Sequence, residues 1–300
     1  MKVAGAPISW GVSELPTWGY RLAPERVLRE MASLGLQATE LGPPGYLPAD
    51  PGSRRALLDR FGLGLAGGFL AVVLHKEAAA ALAEIRREAA ALAATGAQVL
   101  VLAAALPGES YDSRGALRPA EWTRLARTLR EAARIVASFG MVLAFHPHVG
   151  TAVTRADDVR RVLNDTDVAL CLDTGHLFLG GADPADVVDE AAGRVRHVHL
   201  KDVDASVARR LVAGEVAYAD AVREGLYTAL GAGVLDIGGI FTRLRDAGYS
   251  GWYVLEQDTA LTAEPAPDAG PAAAARQSLE YFYRIAGAVN SSSAPRRSER

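Results

Sequence analysis

Four apolar runs in this chain each end in residue types that bind metals or move protons. They read VLAFHPHVGT, with His146 and His148; ALCLDTGH, with Asp173 and His176; VRHVHLKD, with His197, His199, Lys201 and Asp202; and WYVLEQD, with Glu256, Gln257 and Asp258. Two imidazoles and two carboxylates gathered at one point make a mixed nitrogen and oxygen seat. Such a seat suits Mn²⁺, Co²⁺, Fe²⁺ or Zn²⁺, and Mg²⁺ less well because it prefers oxygen. A single histidine at a strand end is commonly a hydrogen-bonded structural residue. Four such residues closing four separate apolar runs are harder to explain that way. Buried carboxylates are costly without a partner, and a cation removes the cost.

Those residues meet only if the chain brings the ends of the runs together. Side chains two apart on a strand share a face, so His146 and His148 point one way, as do His197, His199 and Lys201. Strand-like runs fall at 2–9, 36–41, 64–74, 98–104, 141–147, 168–173, 195–201 and 252–257. Helical stretches separate them at 24–34, 53–61, 76–95, 119–139, 155–164, 183–192 and 236–247, with a last helix at 270–288. Eight strands alternating with helices argue for an α/β fold with a parallel sheet. No Gly-rich phosphate loop follows the first strand, and GGFL (67–70) does not complete a dinucleotide fingerprint. A closed (β/α)8 TIM barrel is therefore expected. Its strand C-termini surround one mouth, where residues as distant in sequence as His146 and Glu256 can share an ion.

The bulk properties fit that fold. The chain has 300 residues, half of them hydrophobic, which suits a single barrel over 1–288. A net charge of −3 gives no nucleic-acid footprint. The one cysteine, Cys171, lies inside an apolar run, so no disulfide framework is expected and a reducing cytoplasm fits. MKVAGAPISW shows no leader, and no run is long enough to span a membrane. The expected partner is a small molecule, neither nucleic acid nor membrane, and a homo-oligomer stays open. Residues 203–235 exceed a usual loop and carry Tyr218, Arg223 and Tyr227. They read either as a cover over the mouth or as an extra packing helix. The polar tail 289–300 reads as disordered.

Six segments resemble one family: APISWG (6–11), ATELGPPGYLP (38–48), HPHVGT (146–151), LDTGH (172–176), HVHLKDV (197–203) and LEQD (255–258). They are similar to the inosose dehydratases of inositol catabolism, within the xylose-isomerase-like superfamily of sugar isomerases, epimerases and dehydratases. LDTGH and HVHLKD carry the superfamily likeness, and APISWG with HPHVGT points to the dehydratase branch. The likeness covers about residues 3–285 and implies metal ligands at His146, Asp173, His199 and Glu256, with Mn²⁺ or Co²⁺ the expected ion. Many superfamily members carry glutamate where His146 stands. That difference argues against epimerisation by paired glutamates.

The activity so implied is that of a metal-dependent hydro-lyase. A proton leaves the carbon beside the ketone of a cyclic keto-polyol, and a β-hydroxyl departs as water. Neutral imidazoles suit acid–base work near pH 7, so His148 and His176 share those roles without an assigned order. Lys201 would stabilise developing negative charge. Asp202 would contact substrate or simply hold Lys201 as an ion pair. Glu40 and Trp10, closing the second and first strands, would bind ring hydroxyls and wall the pocket, although a large aromatic there also packs. Gln257 and Asp258 would orient the groups beside them, Gln257 also contacting substrate. His197, one layer deeper than His199, is expected to be structural. The alternatives are a keto-sugar or keto-polyol isomerase or epimerase, and a 3-dehydroshikimate-like dehydratase with a cationic clamp from Arg114, Arg118 or Arg223. A polyol-binding protein without activity is a further alternative.

Overall fold

A computed structural model describes residues 1–292 apart from 16, 109–110, 113–114 and 192. Seven strands come first in chain order: β1 (Lys2–Gly5), β2 (Ala38–Glu40), β3 (Gly64–Val72), β4 (Val99–Ala104), β5 (Val142–Phe145), β6 (Ala169–Asp173) and β7 (Val195–Leu200). After them come β8 (Asp202–Val203), β9 (Tyr227–Thr228) and β10 (Trp252–Leu255). The first seven and β10 close a parallel barrel in the order β1-β10-β7-β6-β5-β4-β3-β2, while β8 and β9 form a separate antiparallel ribbon. The helices are α1 (Pro24–Ser33), α2 (Pro51–Asp59), α3 (Ala78–Thr95), α4 (Pro119–Ala137), α5 (Ala156–Asp165) and α6 (Thr174–Leu179). They continue with α7 (Pro184–Glu190), α8 (Ala205–Ala213), α9 (Tyr218–Arg223), α10 (Ile237–Asp246) and α11 (Pro271–Ser292). Among the described residues no helix is long and apolar enough to cross a membrane.

Residue size separates the two faces of the barrel wall. Small side chains fill the narrow inside: Ala4, Ala38, Ala66 and Val254 in one group, Val99, Val101, Ala144 and Cys171 in another. Larger residues such as Leu28, Leu92, Leu129 and Leu244 are buried between strands and helices. Each of these contributes about 1.5–3 kcal/mol of apolar burial. The register then levels the strand ends. Asp173 of β6 lies opposite His199 of β7, which also lies opposite Val254 of β10. The Glu256 amide extends that ladder by donating to the Leu200 carbonyl at 3.1 Å.

Two local departures from the expected elements affect the site. β1 stops at Gly5 instead of running to residue 9, because Pro7 opens a 3-10 turn over Pro7–Trp10. The apolar run after Asp173 folds into α6, whose N-terminus the Asp173 carboxylate caps by accepting the His176 amide at 2.8 Å. At the other end of the chain, residues 289–292 continue α11, and 293–300 lie outside the described residues. The long segment after β7 carries α8, α9 and the ribbon. Its anchor is Asp202, whose fully buried carboxylate accepts four amides: Val203 at 2.9 Å, Gly231 at 2.9 Å, Gly233 at 3.0 Å and Leu235 at 3.0 Å.

Candidate active site and cation seat

Three ligand atoms converge where β6, β7 and β10 end. His199 Nδ1 lies 3.5 Å from Asp173 Oδ2 and 2.9 Å from Glu256 Oε2. All three atoms are buried, and none has a hydrogen bond, the short His199–Glu256 approach included. His146, just past β5, brings its Nε2 to 3.7 Å from the same Asp173 oxygen. Orphaned buried polar atoms facing one another are costly, and a divalent cation among them satisfies all of them at once. The far sides of the two imidazoles are also held. His146 Nδ1–H donates to the Pro147 carbonyl at 2.8 Å, and His199 Nε2 bonds Glu40 at 3.1 Å. A carbonyl or carboxylate behind each ring fixes its tautomer and aims the other nitrogen inward, the usual support of a metal-ligating histidine. Burial works against a charge on His199, yet the Glu256 and Glu40 carboxylates hold its pKa well above the ordinary histidine range. A cation at Nδ1 would neutralise the same carboxylates. Cys171 lies one layer down, opposite His197, and burial pushes its thiol up to about 11, so it stays protonated.

Beside this quartet stand the groups that could move protons. The rings of His148 and His176 approach to 3.8 Å between centroids. His148 Nδ1–H donates to the Val149 carbonyl at 2.7 Å, while neither ring nitrogen of His176 has a partner. Burial lowers the pKa of both, and His148 and Lys201 lower His176 further, so both rings are neutral near pH 7. Lys201 is fully enclosed. Its Nζ meets Glu256 at 2.7 Å and Asp258, with Asp173 at 3.8 Å. Burial opposes that charge, but Asp258, Glu256 and Asp173 win and keep the amine protonated. Thr174 pins the lysine backbone, donating to the Lys201 carbonyl at 2.6 Å and accepting its amide at 2.8 Å. Gly175 is needed for this approach, because a Cβ there would sit 2.8 Å from Lys201 Cβ and 2.8 Å from the Tyr227 ring.

Aromatic residues from three loops roof the imidazoles. Tyr111 stacks on Tyr218 with centroids 5.0 Å apart, and Trp18 lies 6.2 Å from Tyr111. Tyr111 lies 5.5 Å from His148, and Tyr218 lies 6.3 Å from His176. Tyr111 bonds Glu14, Arg223 donates to the Thr17 carbonyl at 2.8 Å, and the Tyr218 amide donates to Asp112 at 2.8 Å. The segment 203–235 thus brings Tyr218 and Tyr227 to within 6.3 Å of the His176 ring. Tyr218 also donates to Asp258 at 2.8 Å and shares a 3.0 Å contact with Tyr227. A solvent-connected basin of about 960 Å³ adjoins the roof, lined by Tyr111, Val149, Thr151, Arg155 and Phe178 among others.

The structure brings His146, His148, Asp173, His176, His199, Lys201 and Glu256 into one cluster, and moves four other residues from the expected positions. Trp10 does not reach the mouth: the 3-10 turn buries it completely, and its indole N–H donates to Glu30 of α1 at 2.8 Å. Glu40 faces inward beneath the ligands, bonding His197 at 2.8 Å as well as His199, and those rings hold its pKa low against burial. Asp202 does not pair with Lys201, because adjacent strand residues face opposite ways. Gln257 ties β10 to the cover through the Tyr227 carbonyl at 3.2 Å. His197 is fully buried on Glu40, as a structural histidine would be. Of the arginines considered for a clamp, Arg118 is spent on Glu121 and Arg223 on the Thr17 carbonyl and Asp220, while Arg114 lies outside the described residues. Trp18, Tyr111 and the part Tyr218 plays on Asp258 escaped the sequence reading, since loops carry no periodicity to reveal which side chains turn inward.

The chain belongs to the xylose isomerase-like TIM barrel family, whose model matches residues 28–285. Within that family it groups with the inosose dehydratases. The inosose dehydratase of Geobacillus kaustophilus (strain HTA426) is 33% identical over 299 residues, covering 95% of this chain and 94% of that protein. The rhizopine catabolism protein MocC of Rhizobium meliloti is 34% identical over 299 residues, covering 96% of this chain and 90% of that protein. Among solved structures, an L-ribulose 3-epimerase superposes over 100% of both chains with a TM-score of 0.72 at 17% identity, a likeness of fold.

Proposed function

We propose that this protein is a metal-dependent dehydratase of a cyclic keto-polyol, an inosose, with His146, Asp173, His199 and Glu256 holding Mn²⁺ or Co²⁺. Three unpartnered, buried ligand atoms on three adjacent strand ends are the observation that carries the metal. The inosose dehydratase relative, matched along nearly its whole length, supports the reaction. A divalent ion in that seat supplies Lewis acidity toward a ketone oxygen. The chain's own groups do the rest. One neutral imidazole of the His148–His176 pair takes the proton from the carbon beside the ketone. The C–H electrons become a carbon–carbon double bond as the neighbouring C–O bond breaks. The pair, in 3.8 Å ring contact, delivers a proton to the departing hydroxyl, which leaves as water. Both imidazoles begin and end neutral, in keeping with their lowered pKa values. The Lys201 ammonium, fixed on Glu256 and Asp258, offsets negative charge that builds on the substrate oxygens. The aromatic roof keeps bulk water out. Glu256 is the only glutamate of the four ligands, which favours elimination over proton exchange between two glutamates.

Chelation tests the metal. Protein stripped of divalent ions should lose turnover of scyllo-inosose and regain it with Mn²⁺ or Co²⁺. Turnover that survives complete stripping contradicts the proposal.

A further inference from the structure

Beyond their separate parts in the elimination, His146, His148 and His176 form a cluster of their own. All three are buried, and one nitrogen of each lies within 4.8 Å of the others. The Pro147 and Val149 carbonyls can only accept, so His146 and His148 carry their protons on Nδ1 and present bare Nε2 atoms. His176 is 2% exposed and has no partner on either nitrogen. Two backbone-aimed lone pairs and one orphaned ring are the makings of a ligand set. An ion with metal–nitrogen bonds of about 2.0–2.1 Å places tetrahedral donors about 3.4 Å apart, so closure asks for ring movements on the order of 1 Å.

We propose that this trio is a second, all-imidazole cation seat that competes with the mixed seat, because both require Nε2 of His146. The inference rests on the reading of His146 as a ligand of the catalytic ion. Donor chemistry decides which seat an ion takes. Carboxylates suit Mn²⁺, whereas imidazoles suit Cu²⁺, Ni²⁺ and Zn²⁺, whose affinities for nitrogen sites are also greater. The trio contains no anion, and its nearest countercharge is Asp173 Oδ2, 3.7 Å from His146 Nε2. A hard ion therefore prefers the mixed seat, and a nitrogen-seeking ion the trio. An ion on the trio engages both proton-moving histidines and removes a ligand from the catalytic seat. The enzyme so built is switched on by Mn²⁺ and off by Cu²⁺ or Zn²⁺.

Counting imidazoles on Cu²⁺ by pulsed EPR tests this. Metal-stripped wild-type protein with one equivalent of Cu²⁺ should show three coordinated imidazoles, and His176→Gln should show two. Asp173→Asn, which keeps an oxygen to cap α6, should lose Mn²⁺ affinity by about tenfold or more while keeping three imidazoles on Cu²⁺. Two imidazoles in the wild type, unchanged in His176→Gln, would overturn the second seat. Failure of the wild type to bind Mn²⁺ would overturn the mixed seat and with it the competition, a result read apart from the copper count.

Discussion

Replacing Lys201 with Met removes the ammonium that the buried carboxylates share while keeping most of the side-chain volume. Lys201 is fully enclosed, its Nζ is 2.7 Å from Glu256 and in contact with Asp258, and Asp173 is 3.8 Å away. Removing the shared partner of a buried charge cluster costs about 3–5 kcal/mol. Unfolding entropy of about 2.1 cal/mol/K per residue gives about 0.6 kcal/mol/K for a chain of 300 residues. The melting temperature of the stripped variant should therefore fall by about 5–8 °C at pH 7.5. The deficit depends on pH with a definite sign. Without Lys201 the folded-state pKa of Asp258, already raised by burial, moves further above its unfolded value near 4, while that of Glu256, still beside His199, rises from its lowered position. The penalty is full above the raised values and vanishes below the unfolded ones, so the gap to wild type narrows from pH 7.5 to pH 5. Mn²⁺ replaces part of the lost charge and should raise the variant's melting temperature more than the wild type's. Differential scanning fluorimetry in chelator across that range is the assay. A shift under about 2 °C, or a gap that widens toward pH 5, would refute the reasoning.

The remaining predictions concern the proton pair and the cover. His148→Gln and His176→Gln should each lower kcat by about 10²–10⁴ while Mn²⁺ still binds, as steady-state kinetics and a metal titration would report. Because burial lowers the pKa of both rings, the neutral forms persist below the ordinary value of about 6.5. The acid limb of the kcat–pH profile should accordingly lie below pH 6.5. Asp202→Ala frees four backbone amides. It should cost about 3 kcal/mol or more and raise KM. Hydrogen exchange should speed up at 226–235, with Asp202→Asn in between.

The sequence carried the barrel and its mouth because both rest on period. Alternation along short apolar runs marked the strands, and the same parity set His146, His199, Asp173 and Glu256 on the inner wall. What it could not carry was register and local turn chemistry. α6 was hidden because its apolar TGHLFL continues the strand's hydrophobicity, and only the Asp173 cap distinguishes it. Trp10 was misplaced because Pro7 breaks β1 early. Asp202 was the avoidable error: parity alone turns it away from Lys201, and the same parity puts Asp258 beside Glu256 as the lysine's true partner. Glu40 required the closed barrel, since β2 and β7 are not neighbours in the sheet and meet only across its interior.

The most direct test of the central claim is the mass of the product. Mn²⁺-loaded protein incubated with scyllo-inosose should give a product lighter by one water, with the absorbance of a diketone growing at the same rate. A product of unchanged mass would show isomerisation or epimerisation instead, and would contradict the assignment of His148 and His176 to an elimination.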